Sequence, residues 1–319
     1  MVKKEYNQDI GFKFSKNGRQ FDQYRQQRHS SSKTQIKEIT LNEACQQLLS
    51  LKEIDKVFLV IGAGKEATVI LARETDTKDL VCAKVFRYFT STIRKRLQGT
   101  KHISKMGMAY IVANQEYWNL VELYNAQIPV PRPRYLLNNI VIMDFINLQD
   151  EVYQPAPLLS EIDINLFDDP EEILYESIEI LAKMFLDAKF IHGDYSDHNL
   201  MVTENGLVTM DVSQSVLYNE KTFIKTPNRI KIDKAVELLQ IDLNNLINSF
   251  KKYRISIDAE YVCKEIVKEL PEKLQNFLKE SSKINPFSHN SIDSYNAKEL
   301  YRQQSVFDRS GRIYQKKKR

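Results

Sequence analysis

Residues 192–211 constrain this chain most. They read His-Gly-Asp-Tyr-Ser-Asp-His-Asn, then a mixed stretch containing Asn205-Gly206, then Asp211. Asn-Gly is the strongest short-range signal for a two-residue hairpin turn, because both central positions of a type I′ turn need φ > 0. A turn centred there pairs Leu200 with Asp211 and Asn199 with Val212, with partner Cβ atoms about 5 Å apart. An amide oxygen and a carboxylate then share one end of a β-ribbon, shortly after a second carboxylate, Asp194. Two hard-oxygen donors suit Mg²⁺ carrying phosphates. Asp194 is left to position a nucleophile, which points to phosphoryl transfer from a nucleotide. His192 is expected to brace this loop, His198 to be a satisfied loop residue, and Asp197 to face solvent.

The apolar fraction of 42% excludes a wholly disordered chain. Net charge is only +4, yet its distribution is uneven. Residues 1–40 hold nine Lys/Arg against four Asp/Glu, and the chain ends Lys316-Lys317-Lys318-Arg319. Basic ends fit arms that touch a polyanion, or solvated tails; composition leaves both open. Cys45, Cys82 and Cys263 are far apart and odd in number, which argues against a disulfide framework or a zinc site. No apolar run approaches the roughly 20 residues of a membrane span, and residues 1–9 have no secretion-signal core. A cytoplasmic protein is the expectation.

Four regions are expected: a basic arm over 1–40, a β-rich lobe over 41–146, a helical lobe over 147–280, and a basic tail over 281–319. Within the first lobe the pattern predicts a short helix at 41–51, then strands at 57–61, 67–73 and 80–86. A basic, partly loop-like stretch at 87–108 precedes a helix at 110–125, which Ile128-Pro129-Val130-Pro131 stops. A hairpin at 134–137 and 140–145 follows. Helical periodicity then marks 170–188, 232–253 and about 258–279. The fold class is α+β, a two-lobed arrangement of the protein-kinase kind.

Gly62-Ala63-Gly64-Lys65-Glu66-Ala67 lies between two strands, where glycines let backbone N–H groups approach a triphosphate. It is not a Walker loop, since no Ser or Thr follows Lys65. Lys84 sits mid-strand on the face of Cys82 and Phe86, pointing into a cleft, and a buried lysine needs a partner. Glu116 supplies one, a carboxylate on the apolar stripe of Val112, Leu120 and Leu123. Met143, Asp144 and Ile146 end the lobe at a segment whose backbone groups suit adenine.

An Asp-x-x-x-x-Asn run followed by a hairpin and an Asp matches the protein-kinase catalytic pattern. In order and spacing, the whole set resembles the RIO family of atypical serine/threonine protein kinases over about residues 45–255. The resemblance rests on Gly64-Lys65-Glu66-Ala67, Ala83-Lys84, Gln115-Glu116-Tyr117-Trp118-Asn119-Leu120 and Ile128-Pro129-Val130-Pro131. It extends through Pro155-Ala156-Pro157-Leu158-Leu159, the His-Gly-Asp loop and Asp211-Val212-Ser213-Gln214-Ser215-Val216. The Pro-Ala-Pro-Leu-Leu and Asp-Val-Ser-Gln-Ser strings look like the type 1 branch. Two positions depart from it: Gly62-Ala63 stands where Ser-Thr is usual, and Gly193 where Ala is usual.

The resemblance implies ATP and Mg²⁺ as cofactors, with Mn²⁺ as an alternative. It implies Asp194 and Asp211 as catalytic residues, Asn199 and Asp211 as metal ligands, and nucleotide contacts from Gly62, Gly64, Lys65, Glu66, Val69, Lys84, Glu116, Met143, Asp144 and Ile146. Serine autophosphorylation, a phosphoryl group on Asp211, and a role in maturing the small ribosomal subunit are implied too. About 20 residues separate Asp211 from the helix at 232, with no Ala-Pro-Glu anchor, so ordinary peptide substrates look poorly served. The tails and the segment Arg94-Lys95-Arg96 to Lys105 offer phosphate contacts to rRNA of a small-subunit precursor; a mobile loop over the nucleotide is the compatible reading of that segment. A small-molecule phosphotransferase of the aminoglycoside or choline kinase type shares His-Gly-Asp-x-x-x-x-Asn and is the alternative. A non-catalytic nucleotide-binding module is the third reading, opposed by intact Lys84, Asp194, Asn199 and Asp211.

Overall fold

The computed structural model describes residues 41–63, 67–86, 105–149, 152–218 and 231–281. Gly64, Lys65 and Glu66, the basic segment before Lys105, and both basic ends lie outside the described residues. The chain divides into two compact units.

The first unit begins with helix α1 (Leu41–Leu49), followed by strands β1 (Ile54–Ala63), β2 (Ala67–Glu74) and β3 (Leu80–Phe86). Helix α2 (Lys105–Asn125) belongs to this unit as far as Tyr117, and to the second unit beyond it. It starts five residues earlier than the sequence pattern suggests. Strands β4 (Pro133–Leu137) and β5 (Ile140–Asp144) complete an antiparallel sheet in the order β1-β2-β3-β5-β4. The pleat of β3 sorts its residues by chemistry. Val81, Ala83 and Val85 are fully buried against Ala44, Cys45 and Leu48 of α1, together with Ile70, Ala72, Ile140 and Ile142. Cys82, Lys84 and Phe86 therefore take the opposite face, because side chains alternate along a strand.

In the second unit come α3 (Pro170–Lys183), β6 (Phe190–Ile191), β7 (Leu200–Thr203), β8 (Gly206–Thr209) and β9 (Val216–Leu217). Helices α4 (Ile232–Phe250), α5 (Ala259–Lys268) and α6 (Glu272–Ser281) follow. Asp169 caps α3 by accepting the Glu171 N–H at 2.9 Å, with Pro170 at the first helical position, where its missing N–H costs nothing. The helix expected over 170–188 changes character at Met184, where one π-helical turn runs to Ala188 and ends at Lys189 with φ 61°. The Tyr218 hydroxyl donates to the Phe185 carbonyl inside that turn, which local periodicity cannot reveal. The helix expected over 258–279 is two helices. Pro271 disfavours helical backbone at Leu270 and lacks the N–H that a continuous helix would use. Along α4, Leu239, Leu243, Leu246, Ile247 and Phe250 form the buried stripe. No described helix is long and apolar enough to cross a membrane.

Candidate active site

Strands β7 and β8 form the expected ribbon, in a register two residues away from the expected one. Leu200 pairs with Thr209 and Thr203 with Gly206, so the turn residues are Glu204 and Asn205. Of the Asn-Gly pair only Gly206 has positive φ, at 107°. The Thr203 hydroxyl accepts the Asn205 N–H and donates to the Gly206 carbonyl, closing the turn one residue early. Glu176 of α3 then accepts the Leu207 N–H at 2.8 Å, and a Cβ on Gly206 would lie 2.5 Å from its carboxylate. A slip of two residues keeps every side chain on its own face, whereas a slip of one would invert them all. Asn199 therefore stands at the ribbon's base opposite Met210, the residue before Asp211. The Met210 N–H donates to the Asn199 carbonyl at 2.8 Å.

A buried frame holds the loop before this ribbon. His192 is fully buried and its Nε2 donates to the Met210 carbonyl at 2.9 Å, the bracing role expected of it. Asp242 of α4, also fully buried, accepts the N–H groups of Gly193 at 2.8 Å and Tyr195 at 3.1 Å. The Tyr195 hydroxyl donates to the Ser177 carbonyl at 2.9 Å. With both neighbours pinned inward, Asp194 is turned out and its side chain is exposed. Gly193 has φ +83°, and a Cβ there would sit 3.0 Å from the Gln214 carbonyl oxygen. An alanine would be strained in this conformation, which gives the departure at 193 a steric reason. One detail differs from expectation. Asp197 is buried and pairs with Lys252 at 3.3 Å instead of facing water.

Asn199 donates its amide nitrogen to the Asp194 carbonyl at 2.7 Å, so its side-chain oxygen is the atom turned to other tasks. Asp211 is exposed and left-handed (φ 53°, ψ 59°), and its carboxylate accepts from the Ser213 hydroxyl at 2.9 Å. Among the described residues no cluster of three or more His, Cys, Asp or Glu forms an all-protein metal cage. Mg²⁺ on a nucleotide does not need one, since it keeps waters and takes one or two protein oxygens. One amide oxygen plus one carboxylate fits that requirement.

In the first unit, Lys84 Nζ lies 2.9 Å from Glu116 Oε1, with the two side chains 13% and 2% exposed. The expected pair forms. Val69 stands opposite both Gly62 on β1 and Lys84 on β3, so the strand flanking the glycine turn shares the lysine's neighbourhood. Met143 is buried opposite Cys82. The Asp144 N–H is taken by the Arg132 carbonyl at 2.9 Å. Its side chain joins an Arg134 cluster with Glu74 and Asp79. Ile146 follows the strand, half-buried.

Sequence reasoning passed over Asp242, although a lone carboxylate on the apolar stripe of α4 is the same anomaly that exposed Glu116. Burial holds its carboxyl above the usual range, against the pull of nearby His192 and the two N–H donors. A raised folded-state pKa means that the folded chain keeps this proton longer than the unfolded chain does. The group's contribution to stability is then fullest below the unfolded value of 3.8 and is lost as pH rises through the folded pKa. Asp242→Asn does not titrate. The melting temperature of the wild type relative to this variant should therefore fall as pH rises above about 4, and a flat difference would contradict it.

A family model described as the RIO domain matches residues 56–262. The chain belongs to the RIO family. Its relatives include serine/threonine-protein kinase RIO1 of Caenorhabditis elegans, 28% identical over 206 residues, covering 62% of this chain and 37% of the relative. The human protein of that name is 27% identical over 250 residues, covering 75% and 38%. The RIO-type kinase Rio1 of Thermoplasma acidophilum is 27% identical over 205 residues, covering 62% and 98%. The match thus spans under two fifths of the two animal relatives and nearly all of the archaeal one. All three of these relatives carry type 1 names. The Rio2 kinase–ADP/Mg²⁺–phosphoaspartate complex from Chaetomium thermophilum shares the fold, with a TM-score of 0.53 at 15% identity, covering 82% of this chain and 75% of that one. The fold is accordingly the expected kinase-like α+β class.

Proposed function

We propose that this RIO-family chain transfers the γ-phosphoryl group of ATP to protein oxygen acceptors, its own included. The observation that carries this reading is the exposed pair Asp194 and Asp211, with half-buried Asn199, on a buried base held by the hydrogen bonds of His192, Tyr195 and Asp242. Asn199 and Asp211 hold Mg²⁺, which neutralises charge on the phosphates when bound. Lys84, oriented by its 2.9 Å contact with Glu116, holds phosphate oxygens. Asp194 orients the acceptor hydroxyl and takes its proton as the acceptor oxygen bonds to phosphorus and the bond to the ADP oxygen breaks. Serine side chains are one acceptor class. The Asp211 carboxylate is a second, supported by the phosphoaspartate in the name of the Rio2 complex.

The basic ends favour a polyanionic partner, and rRNA of a small-subunit precursor in the cytoplasm is the partner this reading takes. Incubating the chain with γ-labelled ATP and Mg²⁺ tests the chemistry. Label should accumulate on the protein, part of it released by hydroxylamine, and Asp211→Asn should remove that labile part. Absence of any Mg²⁺-dependent label would overturn the reading.

A further inference from the structure

Asn119 belongs to α2, one turn after Glu116, and is 7% exposed. Its amide nitrogen donates one hydrogen to the Val212 carbonyl at 2.8 Å and the other to the Ser215 carbonyl at 3.1 Å. Those two carbonyls bracket the short turn that begins at Asp211. Within that turn the Ser215 N–H already donates to Val212 O at 3.1 Å, and the Ser215 hydroxyl donates to the His192 carbonyl at 3.3 Å. A planar amide with both hydrogens engaged fixes the distance and the direction between its two acceptors. The turn therefore has one orientation relative to α2, and the Asp211 backbone enters it in a left-handed conformation that aspartate holds only when its surroundings insist.

We propose that Asn119 is a positioning residue for the metal ligand Asp211, acting through the Val212 and Ser215 carbonyls; this rests on the phosphotransfer reading above. The side chain touches neither nucleotide nor metal. It sets where the Asp211 carboxylate stands before either arrives. Groups that orient a ligand in this indirect way are worth about 10- to 100-fold in metal affinity when removed.

The test compares the wild type with Asn119→Ala and with Asn119→Leu, which keeps the branched shape but has no donors. Calorimetry of ADP binding across a Mg²⁺ series should move the Mg²⁺ midpoint upward by about tenfold or more in both variants. ADP affinity without Mg²⁺ should stay at the wild-type value. In nucleotide-free protein, hydrogen exchange of the 211–217 amides should quicken, while the β7–β8 amides remain as protected as before. A mere packing role would give an unshifted Mg²⁺ midpoint and unchanged exchange at 211–217, and that result overturns the proposal. Should the wild type itself bind no Mg·ADP, the phosphotransfer reading falls, and the exchange measurement alone decides the clamp.

Discussion

Asp194→Ala should slow Mg²⁺-dependent self-labelling by about 10³-fold, within the range expected for a positioned acid–base group. The fold should survive it. The Asp194 side chain is exposed, and the loop is held by its neighbours, through Asp242, Ser177 and the Met210 carbonyl, none of which the substitution touches. Stability should therefore move by no more than about 0.5 kcal/mol. Rates measured at saturating ATP, beside a melting curve, separate lost chemistry from lost structure. Wild-type labelling by the variant would remove Asp194 from the mechanism.

Glu116→Ala carries the largest expected cost in stability. It leaves the Lys84 ammonium, 13% exposed, without the carboxylate 2.9 Å away. Breaking a buried pair from one side costs about 3–5 kcal/mol, mostly through the uncompensated charge. The chain's single tryptophan, Trp118, lies two residues further along the same helix, so its fluorescence during urea unfolding is a local reporter. The double variant Lys84→Met with Glu116→Ala should recover much of the loss, because no unpaired charge remains, while labelling stays abolished. A cost under about 1 kcal/mol for the single change would mean that Lys84 reaches water freely. A double variant no better than the single one would assign the loss to helix packing.

The residues that announced themselves in the sequence were those that break a pattern. Glu116 interrupts an apolar helix stripe and Lys84 interrupts an apolar strand, and the structure places the two in contact. Asp242 breaks the stripe of α4 in the same way and could have been found by the same argument. Asn119 gives a weaker signal, since an uncharged amide among Glu116, Leu120 and Leu123 looks like an ordinary boundary residue. Its two acceptors lie more than ninety positions away, and no local rule connects them.

Sequence periodicity was enough to mark the strands and most of the helices, because alternation and helical spacing are short-range properties of the backbone. The Asn-Gly signal was enough to mark the ribbon that carries Asn199 at its base. The register of the ribbon was decided elsewhere. Glu176 on α3 takes the Leu207 N–H and crowds Gly206, which moves the turn by a residue while leaving every side chain on its own face. The outward turn of Asp194 likewise depends on Asp242, 47 and 49 positions from the N–H groups it accepts. Such bonds form only once the chain has packed, since their strength comes from burial, and burial is a property of the tertiary structure alone.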